Sequence, residues 1–335
     1  MLMCGSVCTN LANDPNNCGT CGHVCGCGST TCTAGMCDAH VLADQQGDPV
    51  TLALNNGVLY WGTDIDRNVM AMPADGSVAA KALYPGRTAV RGFAFDAARV
   101  YFTRNVFNIV ESGTLAGTSS GNFTNQQEPG AASIATDGSN VYWTDSGNGG
   151  AVRRAPNGAP VSTPSTVAGG QMGADGLALD ATSVYWSTND PVNGAIHSAP
   201  KNTTNGSGSL VVTKQASPHG VAVANGFIYW INQANGTPKA ASINRVPVTG
   251  GAPAVLASQL SAPQTIAVNG DSVYWTDALD GTISRVPLAG GSPPQFVVAH
   301  EAAPAGLALS STCLYFTDVA DQTAGKGSVR AHDLR

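Results

Sequence analysis

An adjacent pair of aromatic residues recurs along the chain at nearly constant spacing, and no other sequence feature constrains the fold as much. The pairs begin at Tyr60, Tyr101, Tyr142, Tyr185, Tyr229, Tyr274 and Tyr315, each followed by Trp or Phe. Successive tyrosines are 41, 41, 43, 44, 45 and 41 residues apart. A period of roughly 40–50 residues is typical of the four-stranded blade of a β-propeller. Seven pairs therefore predict seven blades.

The strands of one blade can be identified directly from a single repeat. Apolar segments at 265–269, 273–277, 282–288 and 294–299 are separated by polar or glycine-rich turns. Their nearly continuous apolar character is expected of strands that are packed on both faces by neighbouring blades. Because no stretch has a convincing helical period, the sequence predicts an all-β protein.

The seventh repeat lacks its fourth strand, and a matching strand occurs near the start of the sequence. "HVLAD" at 40–44 resembles "AVLAS" at 254–258, which is a fourth strand. We therefore predict that 40–44 pairs with the strand near 327–334 and completes blade seven. Closing the ring in this way leaves no open edge between the first and last blades.

Eight of the nine cysteines lie in the first 37 residues, where aliphatic residues are too few to build an ordinary core. We predict a small disulfide-rich segment over 1–38 followed by the propeller over 39–335, and stable disulfides indicate an oxidising compartment. The proposed disulfide cysteines are Cys4, Cys8, Cys18, Cys21, Cys25, Cys27, Cys32 and Cys37. The closely spaced thiols of "CGTC" and "CGC" would also suit zinc.

The ninth cysteine, Cys313, leaves two pairings open. Either four bonds form within the segment and Cys313 is free, or one segment cysteine joins Cys313 and another is spare for a bond to a second chain. Cys313 lies in the turn between the first and second strands of blade seven. We expect the segment to pack on that face of the propeller.

Candidate binding residues come from the position just before each inner strand, which faces the mouth of the central channel. This position holds Val50, Arg91, Ala132, Asp175, His219, Gln264 and Ala305. The polar members, Arg91, Asp175, His219 and Gln264, are the predicted axial cluster, either as a ligand site or as residues that hydrogen-bond each other and channel water. Asp- and Asn-rich loops make Ca²⁺ a candidate ion, with ordinary turns as the alternative. These loops are 64–66, 145–150, 189–193 and 277–281.

The tetrapeptide YWTD at 142–145 and 274–277 resembles the propellers of the low-density-lipoprotein-receptor family, over about 40–335. That family typically has six blades rather than seven. The resemblance implies an architectural role, in which the aromatic residues pack between blades and the Asp ties loops together. The residues to which it assigns this role are Tyr142, Trp143, Asp145, Tyr274, Trp275 and Asp277.

Two further resemblances concern compartment and activity. "NDPNNCGTCGHVC" (13–25) resembles Cys-rich segments of stigma-specific plant proteins and of secreted myxobacterial proteins, which implies secretion. "SPHGVA" (217–222) resembles virginiamycin B lyase-like propellers, in which His and Glu serve Mg²⁺-dependent elimination. Here one axial position is His and none is Glu.

The composition and the absence of catalytic motifs limit the functional classes. Only 11% of residues are charged and the net charge is −6, which argues against a nucleic-acid surface. No apolar run reaches transmembrane length, and there is no nucleophile elbow, P-loop or H-E-x-x-H motif. We therefore favour a secreted or cell-surface binding or assembly module with a protein or glycan partner. The alternatives are a metal-assisted lyase or hydrolase and a self-associating subunit of an extracellular array.

Overall fold

The chain forms seven four-stranded antiparallel blades, which confirms the predicted seven-bladed β-propeller and its disulfide-rich segment. The computed structural model describes residues 2–4, 7–147, 149–158, 161–233, 236–319 and 327–334, without the side chains of residues 2, 7 and 8. The one helical element among these residues is a short 3-10 turn, Asn105–Phe107. Within the same residues, no helix has the length and apolar character needed to cross a membrane.

Each blade is a meander whose strands follow one another outward from the axis. The inner strands of blades one to seven are Pro49–Asn55, Val90–Phe95, Ala131–Thr136, Ala174–Leu179, Pro218–Ala224, Pro263–Val268 and Pro304–Leu309. The second strands, which carry the aromatic pairs, are Val58–Thr63, Arg99–Arg104, Asn140–Asp145, Ser183–Thr188, Phe227–Asn232, Ser272–Asp277 and Cys313–Asp318.

The outer half of each blade completes the sheet. The third strands are Asn68–Pro73, Ile109–Thr114, Ala151–Pro156, Gly194–Pro200, Ala241–Pro247, Thr282–Pro287 and Gly327–Asp333. The outer strands of blades one to six are Lys81–Pro85, Ser120–Asn122, Ser165–Gly169, Ser209–Gln215, Ala254–Leu260 and Gln295–Val298. The Cys-rich segment contains two short hairpins, Leu2–Cys4 with Val7–Thr9 and Cys32–Thr33 with Met36–Cys37.

Blade seven receives its outer strand from the beginning of the sequence, as predicted. His40–Gln46 pairs antiparallel with Gly327–Asp333, with Ala43 opposite Val329 and Val41 opposite Arg330. The prediction succeeded because 40–44 has the residue pattern of a fourth strand, like 254–258 in blade six.

The aromatic pairs form the core between blades. The Tyr of one pair shares a buried cluster with the second aromatic residue of the next blade, as in Tyr142 with Trp186 and Tyr185 with Trp230. The ring closes in the same way, with Tyr315 of blade seven packed in one cluster with Trp61 of blade one. Since burying an aromatic side chain contributes roughly 2–3 kcal/mol, these repeated contacts hold the ring together.

Candidate functional site

A β-bulge in every inner strand shapes the mouth of the channel. In each blade the pairing with the second strand shifts register next to the axial position, for example between Ala174 and Leu177 in blade four. A bulge bends a strand and redirects the side chains beside it. In blade four the next residue is Gly176, where an added Cβ would lie 2.7 Å from the backbone nitrogen of Val221 in blade five. The inner strands therefore approach so closely here that only glycine fits.

We call the face that carries the starts of the inner strands the mouth face, and the opposite face, which carries Cys313, the clasp face. The structure leaves the axial side chains partly or fully accessible. Arg91 and Gln264 are exposed, whereas Asp175 and His219 are half-buried. The three remaining positions, Val50, Ala132 and Ala305, are half-buried and apolar.

Asp175 and His219 come from adjacent blades and interact electrostatically. Burial raises the pKa of Asp175 and lowers the pKa of His219, while the opposite charges of the two groups partly counter both shifts. Burial therefore favours the neutral form of each group. Perturbed acid–base pairs in a cleft are common features of binding and catalytic sites.

A neighbouring amide fixes the tautomer of His219. The Nε2 atom of Gln233 donates to the carbonyl oxygen of Pro263 at 3.0 Å and lies 3.0 Å from Nε2 of His219. Because this amide nitrogen can only donate, Nε2 of neutral His219 accepts and the ring proton lies on Nδ1. Nδ1 is buried, and burial lowers the pKa of His219 against hydrogen bonds with the backbone of Ser217, Pro263 and Gln264. The imidazole is therefore held in place by Gln233 and by the surrounding backbone.

Arg91 and Gln264 make separate local contacts. Nη1 of Arg91 lies 3.2 Å from Oδ2 of Asp64, a loop residue of blade one. Burial and the Asp64 carboxylate raise the pKa of the nearby Asp48, against the opposing charge of Arg91. The amide of Gln264 donates to the carbonyl of Ala262 at 3.2 Å. The four predicted residues therefore line one mouth, but Arg91 is held by an acidic pair and does not join Asp175 and His219.

The threonines that follow the aromatic pairs position the backbone at the axis. The sequence analysis did not predict this role. Oγ1 of Thr144 in blade three donates to the carbonyl of Asp175 in blade four at 2.6 Å. Thr276 in blade six makes the same bond to Ala305 in blade seven at 2.9 Å. The Thr of the repeated tetrapeptide thus ties each of these blades to the axial position of the next. Its recurrence after the aromatic pair was the available signal.

The sequence analysis also missed a second class of residues. These are polar residues that lie fifteen positions before the second member of an aromatic pair. Gln171 accepts from the indole of Trp186 at 2.9 Å, and Glu128 accepts from that of Trp143 at 3.1 Å. Gln46 accepts in the same way from Trp61 at 3.2 Å. These bonds satisfy indole donors that are otherwise fully buried.

In the loops proposed as calcium sites, the carboxylate oxygens accept hydrogen bonds from backbone amides. The Asp277 carboxylate accepts from the amides of Ser261 and Ala262, both at 2.9 Å. Asp190 accepts from the amides of Val192 and Asn193. Both carboxylates therefore serve to hold the backbone of a turn or loop in place. Among the described residues, no set of three carboxylate, imidazole or thiol ligands surrounds the axis.

Three disulfides lie inside the Cys-rich segment: Cys4–Cys21, Cys18–Cys32 and Cys25–Cys37. A fourth bond, Cys27–Cys313, joins the segment to blade seven. The pairing with four bonds inside the segment and a free Cys313 is therefore wrong, because the segment reaches the turn that holds Cys313. The side chain of Cys8 lies outside the described residues.

The Cys-rich segment occupies the clasp face. The amide of Gly26 donates to the Asp333 carboxylate at 2.7 Å, and Cys27 lies beside Thr312 in the same turn as Cys313. Inner strands run from the mouth face to this turn, so the segment and the axial residues lie at opposite ends of the channel. The segment therefore leaves the mouth uncovered.

Comparisons with known proteins identify the fold. No protein-family model and no curated protein matches the chain. A streptogramin B lyase structure matches with a TM-score of 0.69 and 13% identity, covering 88% of this chain and 97% of that chain. An inactive virginiamycin B lyase from Staphylococcus aureus, solved with quinupristin, matches with a TM-score of 0.66 and 14% identity over 88% of this chain and 98% of that one.

A structure of a nidogen/laminin complex also matches, with a TM-score of 0.57 and 18% identity, covering 75% of this chain and 97% of that chain. At these identities the likeness establishes the β-propeller fold alone. The chain is thus similar to propellers whose described roles differ, one in a protein complex and others in lyases.

Proposed function

We propose that this protein is a secreted or cell-surface binding module whose mouth face engages a protein or glycan partner. The observation that carries the proposal is the polar cluster at the uncovered mouth, where Asp175 and His219 of adjacent blades are half-buried and Arg91 and Gln264 are exposed. A donor and an acceptor that are held on rigid strands suit the recognition of hydroxyl, amide or carboxylate groups.

Two observations support an extracellular setting and a macromolecular partner. Four disulfides suit an oxidising compartment. The similar nidogen propeller was solved in a complex with laminin. A closed propeller offers a broad face of loops to a partner, and here the Cys-rich segment leaves the mouth face accessible.

The test compares the two faces of the same ring. The full chain is screened against arrays of glycans and immobilised extracellular-matrix proteins, with His219→Gln/Asp175→Asn as the mouth variant and Asp75→Asn/Thr312→Ala as the clasp-face control. We expect the mouth variant to lose at least about tenfold in affinity, equivalent to the loss of one or two good hydrogen bonds. Equal binding by both variants, or loss only in the control, would exclude the mouth as the binding surface.

The second candidate is a metal-assisted lyase or hydrolase, and the Asp175–His219 pair is the observation that favours it. Mg²⁺ is usually held by one or two carboxylates together with substrate oxygens, and Asp175 could supply one such ligand. If this candidate is correct, Mg²⁺ raises the melting temperature of the wild type but not that of Asp175→Asn. If Mg²⁺ shifts neither protein, the binding function is favoured.

A further inference from the structure

Two disulfides lie side by side in the Cys-rich segment and form its buried core. They are Cys18–Cys32 and Cys25–Cys37, and all four residues are buried in one cluster. The Sγ atoms of Cys18, Cys25 and Cys37 lie within 4.8 Å of one another, and Sγ of Cys32 is bonded to that of Cys18. Four sulfur atoms therefore share one small buried volume.

A histidine lies beside this cluster, and a backbone carbonyl fixes its orientation. Nδ1 of His23 lies 2.7 Å from the carbonyl oxygen of Cys18, which can only accept a hydrogen bond. The proton of neutral His23 is therefore on Nδ1, and the lone pair of Nε2 is available. Nε2 lies 4.0 Å from Sγ of Cys37.

We propose that this cluster becomes a zinc site when the two disulfides are reduced, with Cys18, Cys25, Cys32 and Cys37 as thiolate ligands. Tetrahedral zinc places its sulfur ligands about 2.3 Å from the metal, and hence roughly 3.8 Å from one another. The Cα atoms of the two pairs are 5.8 and 5.4 Å apart. Rotation of side chains can therefore open each S–S bond to the required spacing with little movement of the backbone.

The chemical step needs a reductant, which we take to be a thiol. Each protein disulfide breaks as it gains two electrons and two protons, and two reductant thiols join as a new disulfide. Reducing both bonds yields four cysteine thiols, whose protons leave to water as Zn²⁺ binds the thiolates. The segment could then be held by disulfides in oxidising surroundings and by zinc in reducing ones.

The experiment uses the full chain, reduced with a phosphine and then titrated with Co²⁺ and Zn²⁺. The phosphine takes oxygen from water as it becomes its oxide, and it does not compete for metal as a thiol would. We expect one Co²⁺ per chain, with a thiolate-to-cobalt charge-transfer band that Zn²⁺ abolishes by displacement. The unreduced protein should show no such band, because its bonded sulfurs offer no thiolate.

Matched variants locate the site. Cys25→Ser/Cys37→Ser should lose the band, whereas Cys4→Ser/Cys21→Ser, which removes a pair outside the cluster, should keep it. His23→Gln should keep the band, because four thiolates already complete the tetrahedral coordination of the metal. The proposal is overturned if the reduced wild type binds no metal, or if the Cys25/Cys37 variant binds as tightly as the Cys4/Cys21 variant.

Discussion

Blades four and seven solve the same packing problem in different ways. In blade four, Gln171 accepts from the indole N–H of Trp186, and the ring of His197 stacks on that indole at 5.4 Å. In blade seven the second aromatic is Phe316, which has no N–H to satisfy, and the equivalent positions hold the ion pair Glu301–Arg330. Blade three combines the two solutions, because its Trp143 indole donates to Glu128, which also pairs with Arg153. An indole therefore requires an acceptor at this position but does not exclude a charged pair.

The two blades also differ in how they are assembled. All four strands of blade four are consecutive in sequence, from Ala174–Leu179 to Ser209–Gln215. Blade seven combines Gly327–Asp333 with His40–Gln46 and carries the Cys27–Cys313 bond. A blade that unites distant segments depends on long-range contacts, so we expect blade seven to control the stability of the ring.

The largest expected effect comes from removing residues 1–46, which deletes the outer strand of blade seven together with the Cys-rich segment. Because the deletion exposes the backbone of Gly327–Asp333, we expect a loss on the order of 5 kcal/mol, comparable to the whole stability of many domains. Chemical denaturation measures it. Removing residues 1–38 keeps the strand and should cost less. Equal stability of the 1–46 deletion and the full chain would contradict the closure.

The charged pair of blade seven can be tested by Arg330→Met, which leaves Glu301 buried without its partner. We expect a loss of about 3 kcal/mol at pH 8, because an unpaired buried charge is costly. The double variant Glu301→Gln/Arg330→Met should recover most of it, since no buried charge remains. If the double variant is no more stable than the single one, the loss is due to packing and not to charge.

The pH dependence sharpens the same test. Burial and the neighbouring Asp318 carboxylate raise the pKa of Glu301 to about 7, against the opposing effect of Arg330. A raised pKa means that the folded protein holds this proton more tightly than the unfolded chain does. The contribution of that protonation to stability is fully present below the unfolded value of 4.5 and is lost as the pH rises through about 7. Arg330→Met should therefore cost less at pH 5 than at pH 8.

The fold could be predicted from the sequence because aromatic pairs at this regular spacing are compatible with few folds other than a β-propeller. The pairs mark the second strand of every blade, and the likeness of 40–44 to the fourth strand at 254–258 identified the strand that completes blade seven. The disulfide pairing was not readable, because eight cysteines permit many connectivities. Only the position of Cys313 in a turn limited the choice, and the fold was needed to bring Cys27 to it.

The candidate site was readable only in part. The axial positions follow from the start of each inner strand, but the direction of a long side chain depends on its neighbours. Arg91 contacts Asp64, which is distant in sequence. The acceptors before the anchor tryptophans include both Gln171 and Glu128, so residue type gave no constant signal. Their constant spacing from the anchor could have revealed them once the role of the indole was known.

The smallest expected effect compares two tryptophans of the same ring. Trp186→Phe in blade four removes the donor to Gln171 and leaves a buried amide oxygen unpaired. Trp275→Phe in blade six is the control, because the position equivalent to Gln171 is Leu260, which has no acceptor in its side chain. Both changes remove the same volume, so their difference reports the lost hydrogen bond, which we expect to be about 1–2 kcal/mol. Thermal or urea denaturation of the two variants measures that difference. Equal losses would mean that the hydrogen bond from the indole to Gln171 adds nothing to stability beyond packing.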